Sequence, residues 1–575
     1  MKTENTLSPM GRFWNMLKPD WPEIRNVYIY SIFSGLVTLS LPLGIQAIVN
    51  LIQGGRMSTS WVILVMFVVL GVAANGVLQI FQLRITENLQ QKIFSRAAFE
   101  FAYRIPRIRL DAMFNRYAPE LMNRFFDIIS VQKGLSKLLI EFSAAGLQAL
   151  FGLLLLSLYH PFFMLFSLIM VFLVYFIFQF TGKIGLQTSL KESKHKYEVA
   201  HWLEELARIS MTIKLAGRTN MPLNRVNTHV GDYLTARESH FKTLLKQYWL
   251  MVGFKVIVAS GLLILGGILV MDQSMNIGQF VAAEIIILLV MTSVEKLILS
   301  LETIYDILTG IEKIGQVTDM PLERENGVDA AETIKSEGME VTLENVDFAF
   351  LGRKNKTLNK LSLQLNAGDK VLVTGENVSG KSTMLQILAG LYEVQEGGIT
   401  YNQLPLDNIE MESLRSIIGD CLSQERLFHG TLYENITMGR PMATLENVQW
   451  VVHEFGLEHY IRSLPHGYET ILGPQGMHLP RSIVQKIILA RSVVDKPKLL
   501  LLEDVFEHLG EEDNRIIMDF VTDSKNPWTL VAVSNDPYLA KKCNRVIIMD
   551  SGQVKHDGNY ETLKSVANFN TNGHA

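Results

Sequence analysis

Six apolar stretches, each about 20 residues long, occupy the first half of the chain: residues 27–50, 61–83, 138–158, 161–181, 248–270 and 277–299. A helix needs roughly 20 apolar residues to cross a bilayer. Inside hydrocarbon its backbone amides must be paired within the segment, because no water is present to pair them. The stretches are therefore predicted to be six membrane-spanning helices. The composition agrees: of 575 residues, 48% are apolar and only 19% charged, against about 25% charged in soluble domains. Three of the connections, 51–60, 159–160 and 271–276, are short. The other two, 84–137 and 182–247, are long, rich in helix formers and predicted to be helical hairpins.

Charge orients the bundle. Segment 84–137 carries ten Lys/Arg and segment 182–247 carries eleven, while the three short loops together carry one, Arg56. Positive residues stay on the cytoplasmic side. The N-terminal segment 1–26, both hairpins and everything after residue 300 are thus expected in the cytoplasm, in a multi-pass protein of the plasma (inner) membrane. Buried helices of a soluble protein would not show this asymmetry. No removable signal peptide is expected in residues 1–26. Two ionisable residues fall within spans and are candidates for function. Glu284 either faces a translocation path or lies at the outer interface or against other helices. Lys255 is expected to snorkel to the cytoplasmic surface.

The second half reads as a soluble α/β domain. The formal charge of −4, without a basic block or tail, argues against a nucleic-acid partner. Cys421 and Cys543 lack metal-ligand spacing and are expected as free thiols. Residues 316–338 read as a linker between a transmembrane domain, 27–315, and a nucleotide-binding domain, 339–575. Glu340 to Phe348 alternates as a strand, and Asp369 to Thr374 forms a second. That second strand runs into Gly375, Glu376, Asn377, Val378, Ser379, Gly380, Lys381, Ser382 and Thr383, followed by a helix through Met384. This is a complete GxxxxGKS phosphate-binding loop. Gly375 and Gly380 let the backbone turn and approach an anion, so that successive N–H groups surround it. The following helix directs its N-terminus at the phosphates. Lys381 supplies charge at the β/γ-phosphates, and the Ser382 hydroxyl is a Mg²⁺ ligand. The expected cofactors are ATP and Mg²⁺.

With these motifs in place, the chain resembles the ABC transporter superfamily over essentially its whole length, as an exporter-type half-transporter. The span 6 sequence Asn276-Ile-Gly-Gln-Phe-Val-Ala and the span composition look most like the bacterial toxin and peptide secretion branch. The fold this implies is an all-α six-helix transmembrane domain followed by an α/β P-loop cassette. The N-terminal peptidase domain of many members of that branch is not expected here. The resemblance implies that the hairpin tips, near 108–118 and 209–219, are coupling helices. It implies that Phe350 stacks on adenine. It also implies that Gln424, within Cys421-Leu-Ser-Gln-Glu-Arg-Leu-Phe, contacts Mg²⁺ and the attacking water. Its partners would be a second half-transporter, as homodimer or heterodimer, the lipid bilayer and a periplasmic membrane-fusion adaptor.

The chain departs from that family at four places, one of them Glu507-His-Leu-Gly510, which stands where the family's D-loop has SALD. Where the signature LSGGQ is expected, it has Leu479-Pro-Arg-Ser-Ile483. Pro480 removes a hydroxyl and a backbone donor, while Arg481 and Ser482 replace glycines. The family's Asp-Glu pair is reversed, so that Glu503 takes the Mg²⁺-side position and Asp504 the general-base position, about 1–1.5 Å short; a misplacement near 1 Å costs about 100-fold in rate. Asn535 stands where the family has its switch histidine. ATP binding with slow hydrolysis is the resulting expectation for a translocating ATPase. The alternative is an ATP-binding, non-hydrolysing subunit of a heteromeric transporter.

Overall fold

The computed structural model describes residues 8–53, 59–114, 116–353, 355–422 and 425–566. The chain divides into two compact units. One comprises Met1–Pro106 and Arg116–Met320, the other Arg107–Asn115 and Pro321–Ala575.

The first unit is helical. Four helices, Thr59–Arg104, Pro161–Arg208, Met221–Met271 and Ile277–Thr318, are 42 to 51 residues long. At 1.5 Å per residue they extend about 60–75 Å, roughly twice a bilayer core. Each apolar window therefore continues into a polar helical extension. Among the described residues, six helical runs are long and apolar enough to cross a membrane. Their outer faces agree: Phe67, Ile80, Leu168 and Phe172 are more than 60% exposed, an arrangement suited to lipid and costly in water.

Two spans are interrupted. The first is divided into Trp21–Thr38 and Ser40–Gln53. Pro42 has no N–H to offer the carbonyl four residues earlier, so the ladder breaks beside Leu39. The third passes through one π-helical turn, Leu138–Phe142, between Asp127–Lys137 and Ser143–Ser157. The short connections are closed by caps. His160 Nδ1 accepts from the Phe162 amide ahead of Pro161. Asn276 and Gln279 form a reciprocal capping box at the start of the last span, with bonds of 2.7 and 2.9 Å.

The Lys255 ammonium, expected near the cytoplasmic surface, lies 2.8 Å from Glu295, both side chains about one-third exposed. A carboxylate within reach offsets the cost of placing the ammonium at membrane depth. Glu284 sits on the exposed face of its helix, with Leu288 one turn on. The tip helix Ser210–Leu215 leaves Met211 and Leu215 more than 70% exposed. Arg12 of helix Pro9–Leu17 pairs with Asp319 at 2.6 Å and with Glu312.

A buried polar knot ties three of the long helices together. The Gln247 amide donates to the Tyr305 hydroxyl at 2.8 Å, and that hydroxyl lies 3.4 Å from the Thr181 carbonyl. Gly185 makes this approach feasible, because a Cβ there would stand 2.2 Å from the Tyr305 ring.

The second unit is built on a six-stranded sheet. Its spatial order is Gln553–Gly558, Arg545–Asp550, Lys370–Gly375, Thr529–Val533, Leu499–Glu503 and Ile418–Cys421, all parallel except the first. Alternate side chains enter two separate cores. Val371, Val373, Leu499, Leu501, Val531 and Val533 enter one; Leu372, Leu500, Leu502, Leu530 and Ala532 enter the other. A sheet covered on both faces explains the uninterrupted apolar runs. A four-stranded antiparallel sheet contains the expected Val341–Phe348 and, beside it, Leu358–Leu365. Residues 321–338 are packed into this unit: Ala330 and Ile334 are buried in one core, and Val328 bridges to Ile409.

Gly185→Ala is expected to cost about 1–3 kcal/mol by overpacking, read as a lower Tm in detergent. Gly182→Ala, whose Cβ meets nothing within 4 Å, should leave Tm nearly unchanged.

Candidate nucleotide-binding site

The site forms where the parallel strands end. In doubly covered parallel sheets, ligands collect in the crevice outside the strand C-termini. Strand Lys370–Gly375 delivers the glycine loop there, and helix Lys381–Leu388 leaves it. Gly375 has φ +144° and Gly380 has φ +99°, conformations that favour glycine. Space demands glycine as well: a Cβ on Gly375 would lie 2.2 Å from the Met549 carbonyl oxygen, and one on Gly380 would lie 2.9 Å from that of Thr357. Val378, at the loop crest, is 90% exposed with φ +70°.

Lys381 folds back over the loop. Its ammonium donates to the carbonyls of Gly375 and Glu376 at 2.8 Å each, and lies 3.4 Å from Ser379 Oγ. Burial lowers its pKa, opposed by the charges of Asp504 and Glu503. The lysine and both acids therefore share one electrostatic field. Phosphate oxygens offer stronger acceptors than the two carbonyls it now uses.

Glu503 ends the buried strand Leu499–Glu503 and is itself buried at 4% exposure. Asp504 follows with φ +50° and ψ +29°, a left-handed conformation. Its amide donates to the Val533 carbonyl at 3.2 Å. The chain turns sharply here, leaving Glu503 inside while Asp504 faces the cleft. Partial burial, with the neighbouring carboxyls of Glu507 and Glu503, pushes the Asp504 carboxyl up; Lys381 opposes the shift.

Asn535 stands beyond the adjacent strand Thr529–Val533. The Thr374 hydroxyl donates to its Oδ1 at 2.5 Å, anchoring the amide to the strand that feeds the glycine loop. Gln424 lies outside the described residues. Next to it, Glu425 accepts from the Leu422 amide at 2.9 Å and lies 3.8 Å from Arg491. Pro480 caps helix Arg481–Val493, and Arg481 at its start is exposed.

Phe350 is enclosed by aromatic rings that linear sequence did not reveal. Phe114 stacks on it at 5.1 Å and 18°, while Phe348 and Tyr392 meet it at 5.0 and 5.5 Å, nearly perpendicular. For Mg²⁺, the hydroxyl of Ser382 and the carboxylate of Glu503 form an all-oxygen set, the chemistry that a hard divalent ion takes. These two residues would hold it, and the ion would neutralise charge on the phosphates.

The raised Asp504 pKa has a stability consequence. A carboxyl titrating higher in the folded state than in the unfolded one opposes folding once ionised, and the penalty disappears below the unfolded pKa. Asp504→Asn is therefore expected to raise the Tm of the nucleotide-free protein at pH 7. The difference from the native chain should shrink as pH falls toward 4.

Comparison with known proteins agrees with this architecture. The family model for the ABC transporter transmembrane region matches residues 25–294, and the ABC transporter family model matches 358–507. The alpha-hemolysin translocation ATP-binding protein HlyB of Escherichia coli O157:H7 is 28% identical over 301 residues, covering 52% of this chain and 42% of that protein. The ATP-dependent lipid A-core flippase of Legionella pneumophila (strain Lens) is 25% identical over 390 residues, covering 67% and 65%. The chain thus spans less than two thirds of the length of these two relatives. A solved structure of a bacterial Atm1-family ABC exporter with ATP bound superposes with a TM-score of 0.82 at 19% identity, covering 95% of this chain and 97% of that one, and so shares its fold. With six apolar helices, a phosphate loop at a sheet's C-terminal edge and family matches to both halves, the chain is a multi-pass membrane protein that belongs to the ABC transporter family.

Proposed function

We propose that this chain is one half of a dimeric exporter, in which ATP bound at the glycine loop drives cargo outward across the plasma membrane. The observation that carries this reading is the meeting of Gly375–Thr383, Lys381, Glu503 and Asp504 at one sheet edge, in a chain that also holds six membrane-spanning helices. The charge distribution puts the cassette and both termini in the cytoplasm. The exposed apolar tip formed by Met211 and Leu215 is the surface offered to the cassette of a second half-transporter. HlyB, named as an alpha-hemolysin translocation ATP-binding protein, favours a secreted peptide or toxin as cargo; the resemblance to the toxin and peptide secretion branch adds a periplasmic membrane-fusion adaptor as a further partner.

The chemistry proceeds through this chain's residues as follows. Loop amides and Lys381 bind the phosphates, Phe350 takes the base, Ser382 and Glu503 would hold Mg²⁺, which would supply charge neutralisation on the phosphates, and Gln424 and Asp504 address the attacking water. Asp504 is the shorter acid, and Asn535 offers an amide in place of an imidazole. Binding is retained and hydrolysis is slow. The altered signature at Pro480, Arg481 and Ser482 supports a second reading, an ATP-holding subunit that completes a heteromeric transporter whose partner hydrolyses.

The purified chain in lipid nanodiscs is expected to bind labelled ATP, and Lys381→Ala to abolish that binding. Its ATPase rate should be low, and Asp504→Glu should raise it at least 10-fold, because a carboxylate recovers about 1 Å of reach. A native rate as high as that of ordinary exporters would refute slow hydrolysis. A basal rate of zero that Asp504→Glu leaves at zero would favour the non-hydrolysing subunit.

A further inference from the structure

Phe114 lies far from Phe350 in sequence, yet its ring is stacked on it at 5.1 Å and 18°. Among the rings around Phe350 it is the one that is nearly coplanar; Phe348 and Tyr392 stand at 84° and 89°. The exposed Arg353 guanidinium lies 5.8 Å from the same centroid. A purine on Phe350 would also lie parallel to it, in the offset-stacked geometry that aromatic pairs prefer.

The segment bearing Phe114 is held firmly within the cassette unit. Ile108 bridges to Leu322. The Arg109 amide donates to the Pro321 carbonyl at 3.1 Å, and the Glu323 amide to that of Arg107 at 2.8 Å. Arg109 pairs with Glu393 at 2.9 Å, only one residue beyond Tyr392, and with Asp111 at 2.8 Å. Arg107 pairs with Glu412 at 3.0 Å. Glu323 in turn is gripped by both Nη atoms of Arg415, at 2.6 and 2.9 Å. The four-residue helix Leu110–Met113 then presents Phe114. A side chain on so anchored a segment behaves as a fixed support rather than a mobile occupant of the base site.

We propose that Phe114 is a positioning residue for nucleotide binding: it braces Phe350 in the orientation that stacks adenine, so that the first cytoplasmic hairpin tip contributes to base affinity. This rests on the reading of Phe350 as the base platform. Phe114 acts through Phe350 on the base and leaves the phosphate contacts alone. Its effect is therefore expected on ligands that carry adenine and not on a bare polyphosphate.

The test compares the affinity of the full chain in nanodiscs for ATP and for inorganic tripolyphosphate, with Mg²⁺. Phe350→Ala examines the platform: it should weaken ATP and spare tripolyphosphate. Phe114→Ala and Phe114→Leu should weaken ATP about 2- to 10-fold, the range of one aromatic pair, and also spare tripolyphosphate. Phe114→Tyr should restore ATP affinity. If Phe350→Ala changes the two ligands equally, the platform reading fails and this inference fails with it. If Phe350→Ala discriminates but the Phe114 variants leave ATP unchanged, tighten it, or weaken both ligands together, the brace alone is overturned.

Discussion

In hydrocarbon an unpaired backbone amide or carbonyl has no water to turn to, and each costs several kcal/mol. This constraint makes the first unit of the protein helical throughout its apolar windows. It also explains how the bundle treats its exceptions. The ladder opens beside Pro42 because that residue has no N–H, and the third span absorbs its irregularity as a single π turn. Helix ends are capped by Asn276 and His160, where the chain turns back. The polar side chains at depth are paired with one another: Lys255 with Glu295, Gln247 with Tyr305, and Tyr305 with the Thr181 carbonyl.

The second unit obeys the opposite solvent. In water the driving force is apolar burial, and a sheet with alternate side chains in two cores satisfies it. The central strands are fully buried, so their C-terminal ends cannot drift. Gly375, Glu503, Asp504 and Asn535 lie at or just past the strand ends at one edge, where short loops carry the polar chemistry. The rigid sheet also supports local strain. Asp504 holds a left-handed conformation that aspartate adopts less readily than glycine, and in doing so turns its carboxyl toward Lys381.

Much was legible from sequence where the determinants are contiguous. The glycine loop, its strand and its helix sit within the contiguous stretch Lys370–Leu388, and their spacing alone specified an anion cradle. The apolar windows predicted the spans, because crossing a bilayer depends on length and composition. The reversed acids and the Asn535 substitution were visible as departures from a pattern. The strand Leu358–Leu365 was missed, although its alternation of leucine with polar residues was there to be read. The pairing of Lys255 with Glu295 was not foreseen, because the two residues, forty positions apart, lie on different helices. The Phe114 ring was invisible for the same reason.

Sequence by itself therefore determined the local quantities: which segments are apolar enough to enter lipid, and which strand, glycine loop and helix form an anion cradle. Each follows from short-range periodicity or composition, and neighbouring residues suffice to express it. Tertiary structure decided the pairings. Lys255 found Glu295, Gly185 admitted Tyr305, residues 321–338 joined the cassette core, and Phe114 came to lie on Phe350. Those outcomes depend on the packing of elements distant in the chain, where close contact selects partners that linear order does not reveal.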